Sequence, residues 1–274
     1  MSSFTNSDSS SALEGRIAIV TGASAGIGEA TARRLHESGA RVVINARGAE
    51  RLSEVAKQMG AKGGAERVRL VAGDCSEQGV IDAMLEESKR AFGAEADLVI
   101  VNAGRGLNGS VMGSDLAQWE EVVRTNVLGA ARLIRAAGKR MLERVPVEEC
   151  GREGAWLKVP RDIVVIGSVV GRHVSPFSSM YGATKFAVHG MTEGVRRELG
   201  PRGVRVTLIE PGFVVSEFQR VAGYEDAWFE SMKEKFAPML EPRDVARMIE
   251  FVAAQPAHVH VSDILVRPTR QEYP

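Results

Sequence analysis

The strongest constraint on the fold of this chain is a rhythm. Short runs of apolar and β-branched residues alternate with segments that keep a helical period. Runs at 16–21 (RIAIVT), 41–46 (RVVINA), 67–72, 97–101 (DLVIV), 161–166 (RDIVVI), 204–209 (VRVTLI) and 262–266 read as seven strands. Most are apolar throughout rather than alternating, which suits strands covered on both faces. Between them, a segment at 77–92 sets Ile81, Met84, Leu85, Ser88 and Phe92 on one helical face. A longer one at 115–143 repeats Trp119, Val122, Val123, Val127, Ala130, Ile134 and Met141 at the 3.6 period, predicting one long helix. Short helices are expected at 226–236 and 242–254. Strands alternating with helices at this spacing imply an α/β fold, a doubly wound parallel sheet with helices on both faces.

No linker-like shift in composition divides the chain, so a single domain is expected over 13–274. The polar, Ser-rich stretch at 1–12 reads as a disordered tail without the apolar core of a signal peptide or an anchor. Lysine plus arginine and aspartate plus glutamate number 35 each. No basic excess exists to follow a phosphate backbone, so no nucleic-acid partner is expected. Apolar runs are of strand length, well short of a membrane span, and a cytoplasmic protein with no membrane partner is expected. Cys75 and Cys150 lack metal-ligand spacing, so no metal site is expected and both are read as reduced thiols.

After the first strand comes Thr21-Gly22-Ala23-Ser24-Ala25-Gly26-Ile27-Gly28, which opens a helix. Glycines in such a turn allow it to be tight and let the backbone approach a pyrophosphate, while the helix N-terminus offers free N–H groups to the anion. The second strand ends Asn45-Ala46-Arg47, without the acid that would bind the ribose 2′-hydroxyl of NAD. A guanidinium there suits the 2′-phosphate of NADP, so NADP(H) is favoured over NAD(H); a solvated surface arginine is the competing reading of Arg47. Asp74, after the third strand, reads as an acceptor for an adenine amino group or as a turn cap. Tyr181 and Lys185 lie four apart, on one face of a helix. A nearby ammonium is expected to lower the phenol's pKa and prepare it for proton transfer, although the spacing alone also fits a chance helical pair.

Thr21-Gly22-x-x-x-Gly26-x-Gly28, Asn102-Ala103-Gly104, Asn126, Ser168, Tyr181-x-x-x-Lys185 and Pro211-Gly212 stand in the order found in short-chain dehydrogenases/reductases, and the chain resembles that family from about residue 15 onward. The resemblance implies a Rossmann-like single domain and a small-molecule carbonyl or alcohol substrate. It implies that Tyr181 is the general acid/base, that Ser168 holds the substrate oxygen and that Lys185 binds the nicotinamide ribose. Asn126 would order a water in a proton relay. The implied cofactor site comprises Gly22, Ser24, Gly26, Ile27, Gly28, Arg47, Asp74, Cys75, Asn102, Gly104, Tyr181, Lys185, Pro211, Gly212, Val214 and Ser216. Val101 replaces the family's usual asparagine, Ser216 its commoner threonine, and Ala25 a basic residue frequent in NADP-binding members. The connection at 142–160 is longer than usual and reads as an inserted loop. Glu210-Pro211-Gly212 with Ser216-Glu217-Phe218, and the 264–271 tail, resemble the NADP-dependent 3-hydroxy acid (serine) dehydrogenases and clavulanate-type aldehyde reductases.

Segments 105–113, 169–179 and 213–237 are expected to wall the substrate. Phe213, Phe218, Trp228 and Phe229 form either an apolar lid or the packed face of a short helix. Arg105, Arg172 and Arg220 are candidates to meet a substrate carboxylate, or are solvated. In the family the helices at 115–143 and around Tyr181 pair between subunits, so a homodimer or homotetramer is expected. Two rival functions are a catalytically silent NAD(P)-binding regulatory or scaffold protein and an epimerase or dehydratase. The intact Asn126, Ser168, Tyr181 and Lys185 set argues against the first. The lack of room for a larger C-terminal substrate domain argues against the second.

Overall fold

A computed structural model describes residues 12–145, 150–151, 154–173, 175 and 177–272. Residues 1–11 of the expected tail, and 146–149 and 152–153 of the expected insertion, lie outside the described residues. The strands are β1 (Ile17–Thr21), β2 (Arg41–Ala46), β3 (Val68–Ala72), β4 (Leu98–Val101), β5 (Asp162–Ile166), β6 (Arg205–Pro211) and β7 (Asp263–Val266). They form one parallel sheet, as the alternation predicts, in the order β3-β2-β1-β4-β5-β6-β7. The order reverses between β1 and β4, so a crevice opens at their carboxyl ends.

Successive β1 residues belong to opposite cores. Ala18 and Val20 join Val42, Ile44, Leu35, Leu52 and Ile249 under helices α1 (Gly26–Glu37), α2 (Ala49–Gly63) and α9 (Pro242–Ala253). Ile17 and Ile19 join Ile81, Met84, Leu133 and Ile134 under α3 (Gln78–Phe92), the helical run ending at Glu143, and α6 (Ser179–Leu199). This two-sided burial is why the central strand runs are almost continuously apolar. Completely buried side chains such as Leu35, Leu52 and Ile81 contribute about 1.5–3 kcal/mol each.

At the amino ends of the strands lies a buried ionic lattice. Arg16 reaches Asp97 (2.5 Å) and Asp162 (2.7 Å), and Arg205 grips Asp162 with two hydrogen bonds (2.6 and 2.9 Å). Pairing each charge is what makes its burial tolerable. The lattice fastens β1, β4, β5 and β6 at the end of the sheet opposite the crevice. The described part of the 142–160 connection packs at this same end: Trp156 lies against Gly203, just before β6, and its indole N–H donates to Gly151 O (2.9 Å).

One expected element is corrected. The single helix at 115–143 is a 3₁₀ turn (Leu116–Gln118), α4 (Trp119–Val123), a π-helical turn (Arg124–Gly129) and α5 (Ala130–Glu143). The apolar pattern runs through the π turn unbroken, so it carries no sign of the widened register, which centres on Asn126. A short helix not foreseen, α7 (Phe218–Val221), precedes α8 (Asp226–Phe236).

Candidate active site

The turn between β1 and α1 is fixed by contacts at the switch point. Gly22 has φ +67°, a backbone that favours glycine, and a Cβ at Gly28 would collide with the Gly22 carbonyl and lie 2.5 Å from Asn102 Nδ2. Asn102 Nδ2 donates to Thr21 O (2.8 Å), while Thr21 Oγ1 accepts from the N–H groups of Asn102 and Ala103 (both 3.1 Å). Ala25, the N-cap of α1, makes no side-chain cap, which leaves the first N–H groups of the helix for an anion. This cradle fits the phosphates of a dinucleotide.

A cavity of about 580 Å³ opens over the turn and runs along the carboxyl ends of the strands. Of the expected cofactor residues, Gly22, Ser24, Gly26, Ile27, Asn102, Gly104, Tyr181, Lys185, Pro211, Gly212, Val214 and Ser216 line it. Others lie off its wall. Gly28 packs behind the turn. Arg47 is largely exposed and pairs with Glu121 (3.1 Å), whereas Arg51, one turn into α2, is the guanidinium on the wall and is held by Glu217 (2.7 Å). Asp74 accepts from Ser76 N (2.9 Å) and pairs with Arg124 (2.9 Å), which matches the turn-capping reading. Burial and the Asp74 charge push the Cys75 thiol up to about 11, leaving it protonated.

Ser168 follows β5, and Tyr181 and Lys185 lie in the first turns of α6; all three face the cavity, and the Ser168 and Tyr181 side chains are hydrogen-bonded. Lys185 Nζ donates to Ile166 O (2.7 Å) and sits 5.8 Å from the centre of the Tyr181 ring. The expected lowering of the tyrosine's pKa is corrected. Burial raises Tyr181 well above the ordinary phenol, partly opposed by Ser168, and burial lowers Lys185 to about 8. Both groups have lost water, and desolvation is the largest cause of each shift.

Asn126 does not line the cavity. Its Oδ1 accepts from Arg105 N (2.7 Å), and its Nδ2 donates to Arg105 O (2.8 Å) and Thr184 Oγ1 (3.0 Å); Thr184 in turn donates to Tyr181 O (2.7 Å). The π turn presents this side chain as a brace between the loop after β4 and the tyrosine helix.

Residues 16–226 match the family model for short chain dehydrogenase. The chain is a short-chain dehydrogenase/reductase. An uncharacterized oxidoreductase of Staphylococcus aureus is 34% identical over 256 residues, covering 93% of this chain and 98% of its own. The closed form of a serine dehydrogenase complexed with NADP+ is similar with a TM-score of 0.79 at 29% identity, covering 94% of this chain and 96% of that one. A 3-ketoacyl-(acyl-carrier-protein) reductase from Brucella melitensis complexed with NADH is similar with a TM-score of 0.78 at 25% identity, covering 94% and 99%.

In this short-chain dehydrogenase/reductase a set of side chains behind Ser168 escaped the sequence reading. His189 of α6 lies between Gly167 and Gly171, and its Nε2 accepts from Ser168 N (3.3 Å). That bond leaves the ring proton on Nδ1, facing the fully buried Glu210 at 3.5 Å. Burial holds the imidazole below its ordinary pKa against the pull of Glu210, so it is neutral near pH 7. Glu210 is also gripped by Arg172, whose Nη2 donates at 2.6 Å. The chain Glu210–His189–Ser168 sets the backbone that carries the serine. Tyr224, on the cavity wall and hydrogen-bonded to Ser178, was likewise missed.

Proposed function

We propose that this enzyme moves a hydride between a nicotinamide coenzyme, NADP(H) in preference to NAD(H), and a small or medium carbonyl or alcohol, with Tyr181 as general acid/base. One observation carries the reading: the Ser168 and Tyr181 hydroxyls meet beside the buried Lys185, on the wall of a cavity whose other end is the glycine turn. Bound there, the nicotinamide supplies or accepts the hydride. The chain's own task is to hold one oxygen and move one proton. Ser168 Oγ holds the substrate oxygen beside Tyr181. In reduction the Tyr181 phenol, kept protonated by burial, gives its proton to that oxygen; in oxidation the same group takes it back. Lys185 places a positive charge beside the tyrosine, and the Ile166 carbonyl fixes the ammonium. Asn126 braces both elements. The similarity to structures holding NADP+ and NADH supports a nicotinamide coenzyme. The absence of an acid at the end of β2 supports the choice of NADP(H), and Arg51 on the wall adds a guanidinium to Arg47. We also propose self-association into a dimer or tetramer, supported by the exposed apolar side chains of Leu128 and Phe186.

Coenzyme titration by calorimetry tests the choice. NADPH is expected to bind at least tenfold more tightly than NADH, and Arg51→Ala to weaken NADPH about tenfold while sparing NADH, on the order of 1.4 kcal/mol. Tighter binding of NADH, with Arg51→Ala leaving NADPH unaffected, refutes the preference.

A further inference from the structure

Beyond Tyr181 the cavity becomes a box of rings. Trp228 of α8 stacks on Tyr224 with centroids 4.8 Å apart and lies 6.1 Å from Phe213 and 6.2 Å from Phe177. Phe213 stacks on Phe236 at 5.6 Å, and all of these rings line the cavity. Phe229, grouped with them from sequence, is instead off the wall beneath Lys233.

The cations tell the complementary story. Of the three arginines considered for a substrate carboxylate, none is on the wall among the described residues. Arg172 is engaged by Glu210, and Arg105 by Glu121 (2.8 Å). The charged side chains that do line the cavity are Arg51, Lys185, Glu217 and Lys235. Arg51 and Glu217 pair with each other on the side of the glycine turn, and Lys185 donates to Ile166 O. Lys235 is half-exposed and pairs with Glu272 (2.5 Å). A carboxylate drawn into the ring box would lose its water, while among the described residues Arg51 and Lys235 on the wall are already paired with carboxylates and Lys185 is held at the Tyr181 end by Ile166 O. A flat apolar group loses nothing there and gains stacking and buried area.

We infer that the substrate of this site is an uncharged carbonyl or alcohol compound whose larger substituent is a flat apolar ring, seated among Trp228, Phe213 and Phe177. The inference rests on the oxidoreductase reading above and narrows it, and it places amino and hydroxy acids outside the preferred class. In the reductive direction the carbonyl carbon takes a hydride, with its electron pair, from the reduced nicotinamide coenzyme. The C=O π bond breaks, the oxygen takes the Tyr181 proton, and the products are the alcohol and the oxidised coenzyme. Tyr181 is then reprotonated from solvent.

The test is consumption of NADPH or NADH by the full chain with four carbonyl compounds: an aryl methyl ketone, an aryl keto acid with the same ring, a short aliphatic keto acid, and an aryl ketone bearing a quaternary ammonium. Expected is a kcat/KM for the neutral aryl ketone at least tenfold above the other three. Trp228→Ala is expected to lower that value about tenfold, mainly through KM, while Trp228→Phe retains most of it. Coenzyme binding, read by calorimetry, is expected to be unchanged in both variants, which also reports that they fold. A preference for either keto acid or for the ammonium compound, or an unchanged KM in Trp228→Ala with coenzyme binding intact, overturns the inference and leaves the oxidoreductase reading standing. Failure to turn over any of the four, or the matching alcohols with oxidised coenzyme, overturns the reading and the inference with it.

Discussion

Desolvation moves the two central side chains in opposite directions: it keeps Tyr181 a phenol and makes the Lys185 ammonium easy to discharge at about pH 8. The sign of the pH dependence follows. Below about 8 Lys185 is mostly charged and Tyr181 protonated, the combination that carbonyl reduction needs. Above it the lysine loses its charge while the tyrosine stays neutral. The kcat/KM for reduction is therefore expected to be level up to about pH 8 and then to fall, approaching tenfold per pH unit, in a pH–rate profile of the free enzyme. A profile level through pH 10 contradicts this assignment. At this scale the sequence exposed identities but not environments. Tyr181 and Lys185 were legible from their spacing, yet the sign of the tyrosine's shift was not, because spacing along a helix says nothing about how much water remains. His189 and Glu210 were illegible for a related reason: they lie 21 residues apart, and only the return of β6 beside β5 brings them together behind Ser168.

Elements with strong local signals were read almost to the residue. The strands are apolar runs with one job, and the glycine turn encodes its own geometry, since a side chain at Gly28 would strike the turn itself. The π turn at Arg124–Gly129 was hidden because apolar spacing tolerates one widened turn, and what marks it is the grip of Asn126 on Arg105 and Thr184 across the fold. The arginines after β2 show the same limit. Arg47 stands where a sequence argument puts a 2′-phosphate partner, but the wall is reached by Arg51, because the direction in which each side chain leaves α2 and the arrival of Glu121 and Glu217 from distant segments are tertiary facts.

For the whole molecule, the parallel sheet with helices on both faces followed from the alternation, the strand order came only with the fold, and the site lies where such a sheet must leave a crevice. The ionic lattice at the opposite end was not read from sequence, since charged residues at strand starts ordinarily face water. Among the described residues no helix is long and apolar enough to cross a membrane. Phe186 on α6 is 42% exposed and Leu128 46%, and the self-association proposed above would cover both. Sedimentation velocity at micromolar concentration is expected to return two or four times the chain mass. Replacing both residues with lysine is expected to shift the protein toward monomer, and a monomeric wild type contradicts the proposed assembly. Whether Tyr181 transfers the proton that accompanies the hydride is decided by steady-state turnover of Tyr181→Phe on a carbonyl the wild type reduces, with coenzyme binding measured on the same sample. Expected is a loss of at least a hundredfold in kcat, as for removal of a general acid, with coenzyme affinity within about threefold of wild type, a difference of about 0.6 kcal/mol. Turnover near the wild-type rate would contradict it.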